Sequence, residues 1–270
     1  MTTYDRACSK VCEVILKLPE LQNRRPIYLT TQRLKIYVGG NAKLPIDTAS
    51  FSLPSGFTCP GALTCLSKAD KDTGRITDGP DIAFRCFSAS QEAAYPSLRR
   101  ARWHNFEMLQ RAKSRERMRN LILDSLPPDR KWNRIRVHIA GDFYSLDYLK
   151  AWLDVMSIRS DKMAYAYTKS AHHLKALRDE GFGLPDNFKF VLSWGGKFDH
   201  LYEELAMTTA KVIFHPDDAE GLAIDHDDSH ASNPEKDFAL LLHNTQPAGS
   251  TAGLATKRMR DEKIQHTYTR

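Results

Sequence analysis

Apolar and polar positions alternate with two different periods along the second half of the chain. Short apolar runs such as RIRVHIAGDF (134–143) are typical of buried strands, whereas DYLKAWLDVMSI (147–158) has the spacing of an amphipathic helix. Further strands are predicted at 162–170, 187–196 and 211–215, and further helices at 171–181 and 200–210. Parallel neighbouring strands need crossover connections, so this alternation predicts an α/β fold with a parallel sheet, as a partial or trimmed (β/α)-barrel or as an open sheet.

The first half of the chain lacks this alternation. Residues 1–50 form a predicted irregular segment, with a short helix around 8–17 and a hairpin or edge strands in IYLTTQRLKIYVGG (27–40). Residues 51–97 are rich in Pro and Gly, which predicts a long loop, and residues 98–124 have the spacing of one long amphipathic helix. We therefore expect an N-terminal segment (1–50), one α/β domain with a loop-rich cysteine-bearing start (51–240) and a C-terminal tail (241–270).

Composition narrows the class of protein. The 270 residues are 41% hydrophobic and 27% charged, which is typical of an ordinary globular protein. No apolar run approaches the roughly 20 residues that span a bilayer, and the start of the chain does not resemble a secretory signal. We therefore expect a cytoplasmic protein without a membrane partner.

Cysteine spacing carries the sharpest chemical signal. Five cysteines do not suit a closed disulfide framework, and three of them, Cys59, Cys65 and Cys86, have the spacing C-x5-C-x20-C. Thiolates are soft ligands, so our first expectation is a [4Fe-4S] cluster with three cysteine ligands and one open iron. Zinc is the second alternative, and three reduced, buried thiols without metal are the third. Cys8 and Cys12 share one face if their segment is helical, so they are either the source of a fourth ligand or simply small buried residues, and we rank them below the other three.

Polar residues also follow successive predicted strands. Because the carboxyl ends of parallel strands share one edge of a sheet, we expect these residues to form a common cleft. Taken singly, each has the alternative role of capping a helix or permitting a turn. The catalytic candidates are Asp142, Lys169 and Ser170, and the cofactor-binding candidates are Ser193, Trp194, Gly195 and Gly196.

Two further segments have concentrated charge. AIDHDDSHAS (223–232) brings together hard oxygen and imidazole ligands, so it is either a second metal site or a solvated acidic loop. The predicted helix 98–124 is strongly basic in a chain of net charge +6, so it is either a phosphate-contacting surface or a solvated basic face. The residues concerned are Asp225, His226, Asp227 and His230 in the first segment, and Arg99, Arg100 and Arg102 in the second.

Four stretches resemble the gene product 88 family of bacteriophage proteins: FSLPSGFTCPGALTCLSKAD, GPDIAFRCFSASQEA, RVHIAGDFYSLDYLKAW and YAYTKS. They occur in order between about residues 50 and 200, and the resemblance implies a phage origin. The cysteine-bearing loop followed by β/α units is also similar, remotely, to radical S-adenosylmethionine proteins. That similarity implies Cys59, Cys65 and Cys86 as ligands of a cluster at one mouth of a partial barrel, with SWGG near the methionine moiety of S-adenosylmethionine.

Three functions follow as hypotheses. The first is a phage-encoded iron–sulfur protein in the cytoplasm of the infected host, a redox or radical enzyme acting on a nucleotide or nucleic acid. The second is a non-catalytic nucleic-acid-binding protein whose metal only stabilises the loop 51–97. The third is a zinc-dependent hydrolase that uses Asp225, His226 or His230.

Overall fold

A parallel sheet organises the computed structural model of the protein, which describes residues 33–41 and 43–265. Seven of the nine strands in these residues form this sheet, and the other two pair as an antiparallel hairpin. In chain order the strands are β1 (Thr48–Phe51), β2 (Ser67–Ala69), β3 (Ile76–Asp78), β4 (Arg134–Val137), β5 (Met163–Thr168), β6 (Phe188–Ser193), β7 (Thr209–Ile213), β8 (Ala223–Ile224) and β9 (Phe238–Leu241).

Eight α-helices accompany these strands in the described residues. They are α1 (Phe87–Ala94), α2 (Pro96–Ala112), α3 (Arg115–Ser125), α4 (Leu146–Ile158), α5 (Ala171–Asp179), α6 (Tyr202–Leu205), α7 (Ser229–Ser232) and α8 (Thr251–Asp261). Short 3-10 turns cover Asp129–Lys131, Asp199–Leu201 and Pro216–Ala219.

The strand order of the sheet is β1-β4-β5-β6-β7-β9-β8, and every neighbouring pair is parallel. From β1 to β7, each strand of the sheet lies beside the one before it in the chain, without a reversal. β1 and β8 are the two edges of the sheet in the described residues. The predicted α/β class with a parallel sheet is therefore confirmed, and all carboxyl ends lie along one edge of the sheet.

The two faces of the sheet differ in chemistry. Ile135, Ala164 and Phe190 belong to the main hydrophobic core, where one face packs against helices α2–α5. The opposite face carries Tyr165, which packs with residues of β9 and α7. Side chains alternate along a strand, so Arg136 lies on this second face, between two core residues of β4.

Several predicted elements differ from the structure. The predicted helix 98–124 is two helices, because Lys113 is left-handed (φ 61°) and Ser114 then caps α3 by accepting a hydrogen bond from Arg117 N. The predicted helix 200–210 is reduced to a 3-10 turn and α6, and the chain enters β7 at Thr209.

The predicted domain boundaries do not coincide with gaps between the secondary-structure elements. The predicted boundaries at 50/51 and 240/241 fall inside β1 and β9, and the last helix, α8, packs on β9 in a separate hydrophobic cluster. Within 27–40, the described residues form a single antiparallel bridge, between Tyr37 and Ser50. The predicted helix around 8–17, with Cys8 and Cys12, lies outside the described residues.

No helix in the part of the chain that the structure describes is both long and apolar enough to cross a bilayer.

Candidate functional site

A cavity of about 400 Å³ opens at the carboxyl ends of the strands. Its wall includes the residues that follow β4, β5 and β9, the residue that ends β6, and part of the segment before β1. All three predicted cysteine ligands line it, as do Asp142, Lys169 and Ser193. The cavity wall therefore brings six of the predicted residues together.

The cysteines reach the cavity from two segments. Cys59 and Cys65 lie in the loop that follows β1, and Cys86 immediately precedes α1. Each is partly exposed and none is in a disulfide. Gly56 N donates to Cys59 Sγ at 3.3 Å, and Cys86 N donates to Ser67 Oγ at 3.2 Å. Backbone and hydroxyl contacts therefore hold both segments at the cavity wall.

The thiols have a strong preference for the protonated state. Burial raises the pKa of all three, and that of Cys65 reaches about 11. The carboxylate of Asp142 and the other two thiols raise the pKa of Cys59 further, so these groups lie close enough to interact. As free thiols, the three side chains therefore stay neutral at physiological pH.

Lys169 contributes an unusual positive charge to the same wall. Its side chain is buried, and Nζ donates to Ser193 O and Ser193 Oγ, both at 2.8 Å, and to Trp194 O. None of these partners is charged, and no described carboxylate forms an ion pair with it. Its charge lowers the pKa of Cys65, although burial raises that pKa more strongly. A buried ammonium without a counter-charge is costly, so an anion is expected nearby.

Asp142 and Ser170 join the ends of β4 and β5. Asp142 accepts hydrogen bonds from Thr168 Oγ1 (2.6 Å), Lys169 N (2.8 Å) and Phe143 N (2.7 Å), while burial raises its pKa. Ser170 Oγ donates to Phe143 O at 3.1 Å and does not line the cavity. Both residues therefore position the backbone that presents Lys169.

The segment Ser193–Gly196 mostly supports the cysteine loop. Gly195 O accepts from Thr64 N at 3.0 Å, and Ala62 forms an antiparallel bridge with Gly196. Asp199 accepts from the N–H groups of both glycines, at 2.8 and 2.9 Å. The backbone groups predicted to bind a cofactor at Gly195 and Gly196 thus have partners within the protein. Trp194, whose Nε1 donates to Thr209 Oγ1 at 3.0 Å, also lies outside the cavity wall.

Two of the three arginines predicted to contact nucleic acid are interior residues. Arg102 is 3% exposed and pairs with the buried Glu92 at 2.8 Å, and Glu92 also accepts from Ser55 N at 3.0 Å. Arg99 donates to Lys71 O at 3.0 Å and to Asp72 O at 3.1 Å. These arginines attach α2 to the cysteine-bearing segment, so the predicted phosphate surface retains only Arg100 of the three as an exposed residue.

The acidic segment 223–232 also turns inward. Asp225 is fully buried and accepts from Asp227 N at 3.1 Å and from Tyr167 Oη at 3.4 Å, and His230 lies 3.8 Å from it. Asp227 and His226 are exposed. In the described residues, no three His, Cys, Asp or Glu side chains form a group able to hold a metal ion. The structure therefore gives no support to a second metal site at Asp225, His226, Asp227 and His230.

Sequence reasoning missed several polar residues of the cavity wall, among them Arg136 and His138. These two are polar residues within the apolar run RIRVHIAGDF, and that interruption was the available signal. His138 has a left-handed backbone (φ 66°), and its Nε2 lies 2.9 Å from Tyr148 Oη in the core. Burial lowers its pKa to about 3, so the imidazole is neutral.

Comparisons with known proteins point to one family. The family model described as Gene product 88 matches residues 25–262. The chain is similar to the Gene 88 protein of Mycobacterium phage D29, at 29% identity over 186 residues that cover 62% of this chain and 69% of that protein. It is also similar to the Gene 88 protein of Mycobacterium phage L5, at 28% identity over 173 residues that cover 58% of this chain and 65% of that protein. No solved structure matches the chain, and none of these matches supports the similarity to radical S-adenosylmethionine proteins.

Proposed function

The chain belongs to the gene product 88 family of mycobacteriophage proteins, and from its site we propose that it is an iron–sulfur protein with redox or radical-type enzyme activity. One observation carries the proposal: Cys59, Cys65 and Cys86 line a single cavity at the carboxyl ends of parallel strands, together with Lys169. That edge of a parallel sheet is where enzymes of this class of fold place their active sites.

The chemistry of the ligands suits a cluster, because cysteine thiolates are the usual ligands of iron–sulfur clusters. The three thiols share a cavity of about 400 Å³. In the described residues they do not form a group of three side chains already placed to hold a metal ion. A cluster bound there would supply one-electron redox chemistry, and three thiolates would leave one of its irons open to a substrate.

Charge supports the same assignment. The buried Lys169 ammonium has only neutral oxygen partners, and a ligating thiolate at Cys65 would provide the missing negative charge. We propose that Lys169 faces the substrate and the cluster, while Asp142 positions Lys169 through its backbone N–H. Gly195 and Gly196 have no part in binding a cofactor in this proposal, because Thr64 and Asp199 already occupy their backbone groups.

The proposed architecture is a partial (β/α)-barrel. The order from β1 to β7 continues in one direction, as in barrels, whereas a doubly wound sheet reverses its order. Helices α2–α5 pack on one face of the sheet and leave the opposite face to the cavity residues. We propose that the protein acts in the cytoplasm of the infected host.

Anaerobic purification with metal and sulfide analysis tests the proposal. We expect a broad absorption band near 400 nm, with about four iron and four sulfide per chain, as a [4Fe-4S] cluster requires. Cys59→Ser, Cys65→Ser and Cys86→Ser should each lose most of the iron, sulfide and colour, because each removes one of the three thiolates.

Cys8→Ser and Cys12→Ser are the matched controls, because the proposed cluster has Cys59, Cys65 and Cys86 as its three thiolate ligands. Both should keep the full iron and sulfide content. Colourless protein with one zinc would reject the iron–sulfur function, whereas a Cys59→Ser variant with an undiminished cluster would reject Cys59 as a ligand.

A further inference from the structure

The cavity wall carries more positive than negative charge. Four cationic side chains and one carboxylate line it in the described residues: Lys43, Arg85, Arg136, Lys169 and Asp142. Arg85 is neutralised by Asp78, with its Nε 3.1 Å from Asp78 Oδ1. Of the remaining cations, Lys169 lies beside the cysteines. Arg136 lies on the face of the sheet opposite the main core, and Lys43 lies near it, in the segment before β1.

Arg136 and Lys43 share one carboxylate. Lys43 Nζ lies 2.9 Å from Asp228 Oδ1, and Arg136 Nη1 lies 2.5 Å from Asp228 Oδ2. Asp228 is buried and does not line the cavity, whereas both cations do. Tyr167 Oη lies 3.4 Å from both Asp228 Oδ1 and Asp225 Oδ2. Asp225 acts on Arg136 more weakly than Asp228 does and lies 3.8 Å from His230. The two cations therefore face the cavity with a shared counter-charge behind them.

Arg136 also has unused hydrogen-bonding capacity. The residue is 9% exposed, and its Nε has no hydrogen-bond partner among the described residues. The Tyr167 ring, which also lines the cavity, lies 5.0 Å from the guanidinium carbon. Nε of Arg134 is likewise buried and without a hydrogen-bond partner among the described residues, so the position of the Arg136 guanidinium at the cavity wall, beside Lys43, is what favours an anion.

We infer that the cavity binds a small organic anion, with its carboxylate or phosphate group held by Arg136 and Lys43. A guanidinium beside an ammonium suits both groups, because it offers directed N–H donors together with a second positive charge. The volume of about 400 Å³ is that of a small-molecule site, so the ligand is a metabolite-sized anion and not a polymer. The inference deepens the proposed function by naming its substrate class.

Calorimetric titration with inorganic phosphate, and separately with acetate, tests the inference on the purified full chain at constant ionic strength. We expect saturable binding of one anion per chain. Arg136→Lys, which keeps the charge but loses the planar donors, should weaken binding about tenfold, the loss of one charge-assisted hydrogen bond. Lys43→Gln should weaken it similarly, and it provides the same test from a side chain outside the sheet.

Arg134→Lys is the matched control, because it alters an arginine of the same strand that does not line the cavity. Tighter binding of phosphate would identify a phosphate ester as the substrate class, and tighter binding of acetate a carboxylate. Failure of both probes, or equal weakening by Arg134→Lys, would overturn the inference. Iron and sulfide measured in the same samples separate the two proposals, since anion binding without a cluster rejects only the iron–sulfur function.

Discussion

At the scale of single residues, buried charges in this protein connect segments that are distant in sequence. Glu92 of α1 accepts from Arg102 of α2 and from Ser55 N in the cysteine-bearing segment. Both charged side chains are almost completely buried. Burial raises the pKa of Glu92 even though Arg102 and the Ser55 N–H oppose it. The pair therefore depends on both members, since neither has water to replace a lost partner.

Arg102→Ala should destabilise the protein by about 3–5 kcal/mol, because it leaves the Glu92 carboxylate buried and unpaired. The free energy of unfolding from denaturant titration measures this loss. Arg100→Ala is the control, since Arg100 is an exposed arginine of the same helix and its loss should change stability by less than about 0.5 kcal/mol. Equal effects of the two substitutions would contradict the assigned interior role.

His138 should make the stability of the protein depend on pH. Burial lowers its pKa from the ordinary 6.5 to about 3, so below pH 6.5 the unfolded chain binds a proton that the folded protein does not. Its contribution to stability is complete above pH 6.5 and is lost as pH falls toward 3, by about 1.4 kcal/mol per pH unit. Asparagine also tolerates the left-handed backbone. In His138→Asn, the slope of unfolding free energy against pH between pH 6 and 4.5 should therefore fall by about 1.4 kcal/mol per pH unit, the effect of one proton.

Tyr148→Phe distinguishes the cause of that slope. It removes the hydroxyl beside His138 Nε2 but keeps the aromatic ring. Because burial is the cause of the lowered pKa, the slope should persist in this variant while overall stability falls. A flat profile in Tyr148→Phe would show that the hydrogen bond controls the titration instead.

At the scale of elements, the loop after β1 closes against the ends of β5 and β6. Gly61 approaches so closely that a Cβ there would lie 2.0 Å from Lys169 O. Lys197 N donates to Gly61 O at 2.9 Å, and Thr64 N donates to Gly195 O at 3.0 Å. The position of Cys59 and Cys65 thus depends on direct contact between the backbones of Gly61 and Lys169, and only glycine allows this contact.

Gly61→Ala should cost about 1–3 kcal/mol of stability and move the cysteine loop away from Lys169. Denaturant unfolding measures the first effect, and the rate of alkylation of Cys59 and Cys65 measures the second, because displaced thiols become more accessible. Gly183→Ala, where nothing lies within 4 Å of the added Cβ, should change neither quantity. Unaltered alkylation in Gly61→Ala would show that the loop is held by other contacts.

At the scale of the whole molecule, one carboxylate joins the beginning, middle and end of the described chain. Asp228 binds Lys43 before β1, Arg136 on β4 and Tyr165 on β5, the last through Tyr165 Oη at 3.2 Å. Arg136 and Tyr165 lie on the face of the sheet opposite the main core, and Lys43 lies against the same carboxylate. The segment 223–232 therefore closes that face, although it looks like a solvated acidic loop in the sequence.

Asp228→Asn should destabilise the protein by about 3–5 kcal/mol, because Arg136 and Lys43 lose their shared counter-charge while asparagine still suits the left-handed backbone (φ 61°). Thermal or denaturant unfolding measures the loss. Asp227→Asn changes the exposed neighbouring carboxylate and should have an effect below about 1 kcal/mol. If Asp227→Asn is as destabilising as Asp228→Asn, then Asp228 does not join these strands.

Local patterns were sufficient for much of the fold. Strands β5–β7 and helices α4 and α5 agree with their predicted ranges to within about three residues, because a buried strand and an amphipathic helix each impose a period on the sequence. β4 begins at the predicted residue but ends at Val137, before the predicted end of the run at 143. β1 and β9 were not recognised as members of the sheet. The residues TASF in β1 and FALL in β9 do not by themselves distinguish a sheet strand from other local structure, and only pairing with neighbouring strands makes them part of the sheet.

The sequence by itself determined the α/β class, the shared edge of the strand ends and the group of cysteines, because periodicity, strand direction and side-chain chemistry are local properties. Only the tertiary structure decided which charges face the cavity. Arg99 and Arg102 resemble surface arginines in the sequence but bind backbone and Glu92 in the interior, whereas Arg136 lies in an apolar strand and faces the cavity. Burial and the identity of a partner depend on residues far away in the chain, and therefore on the folded arrangement.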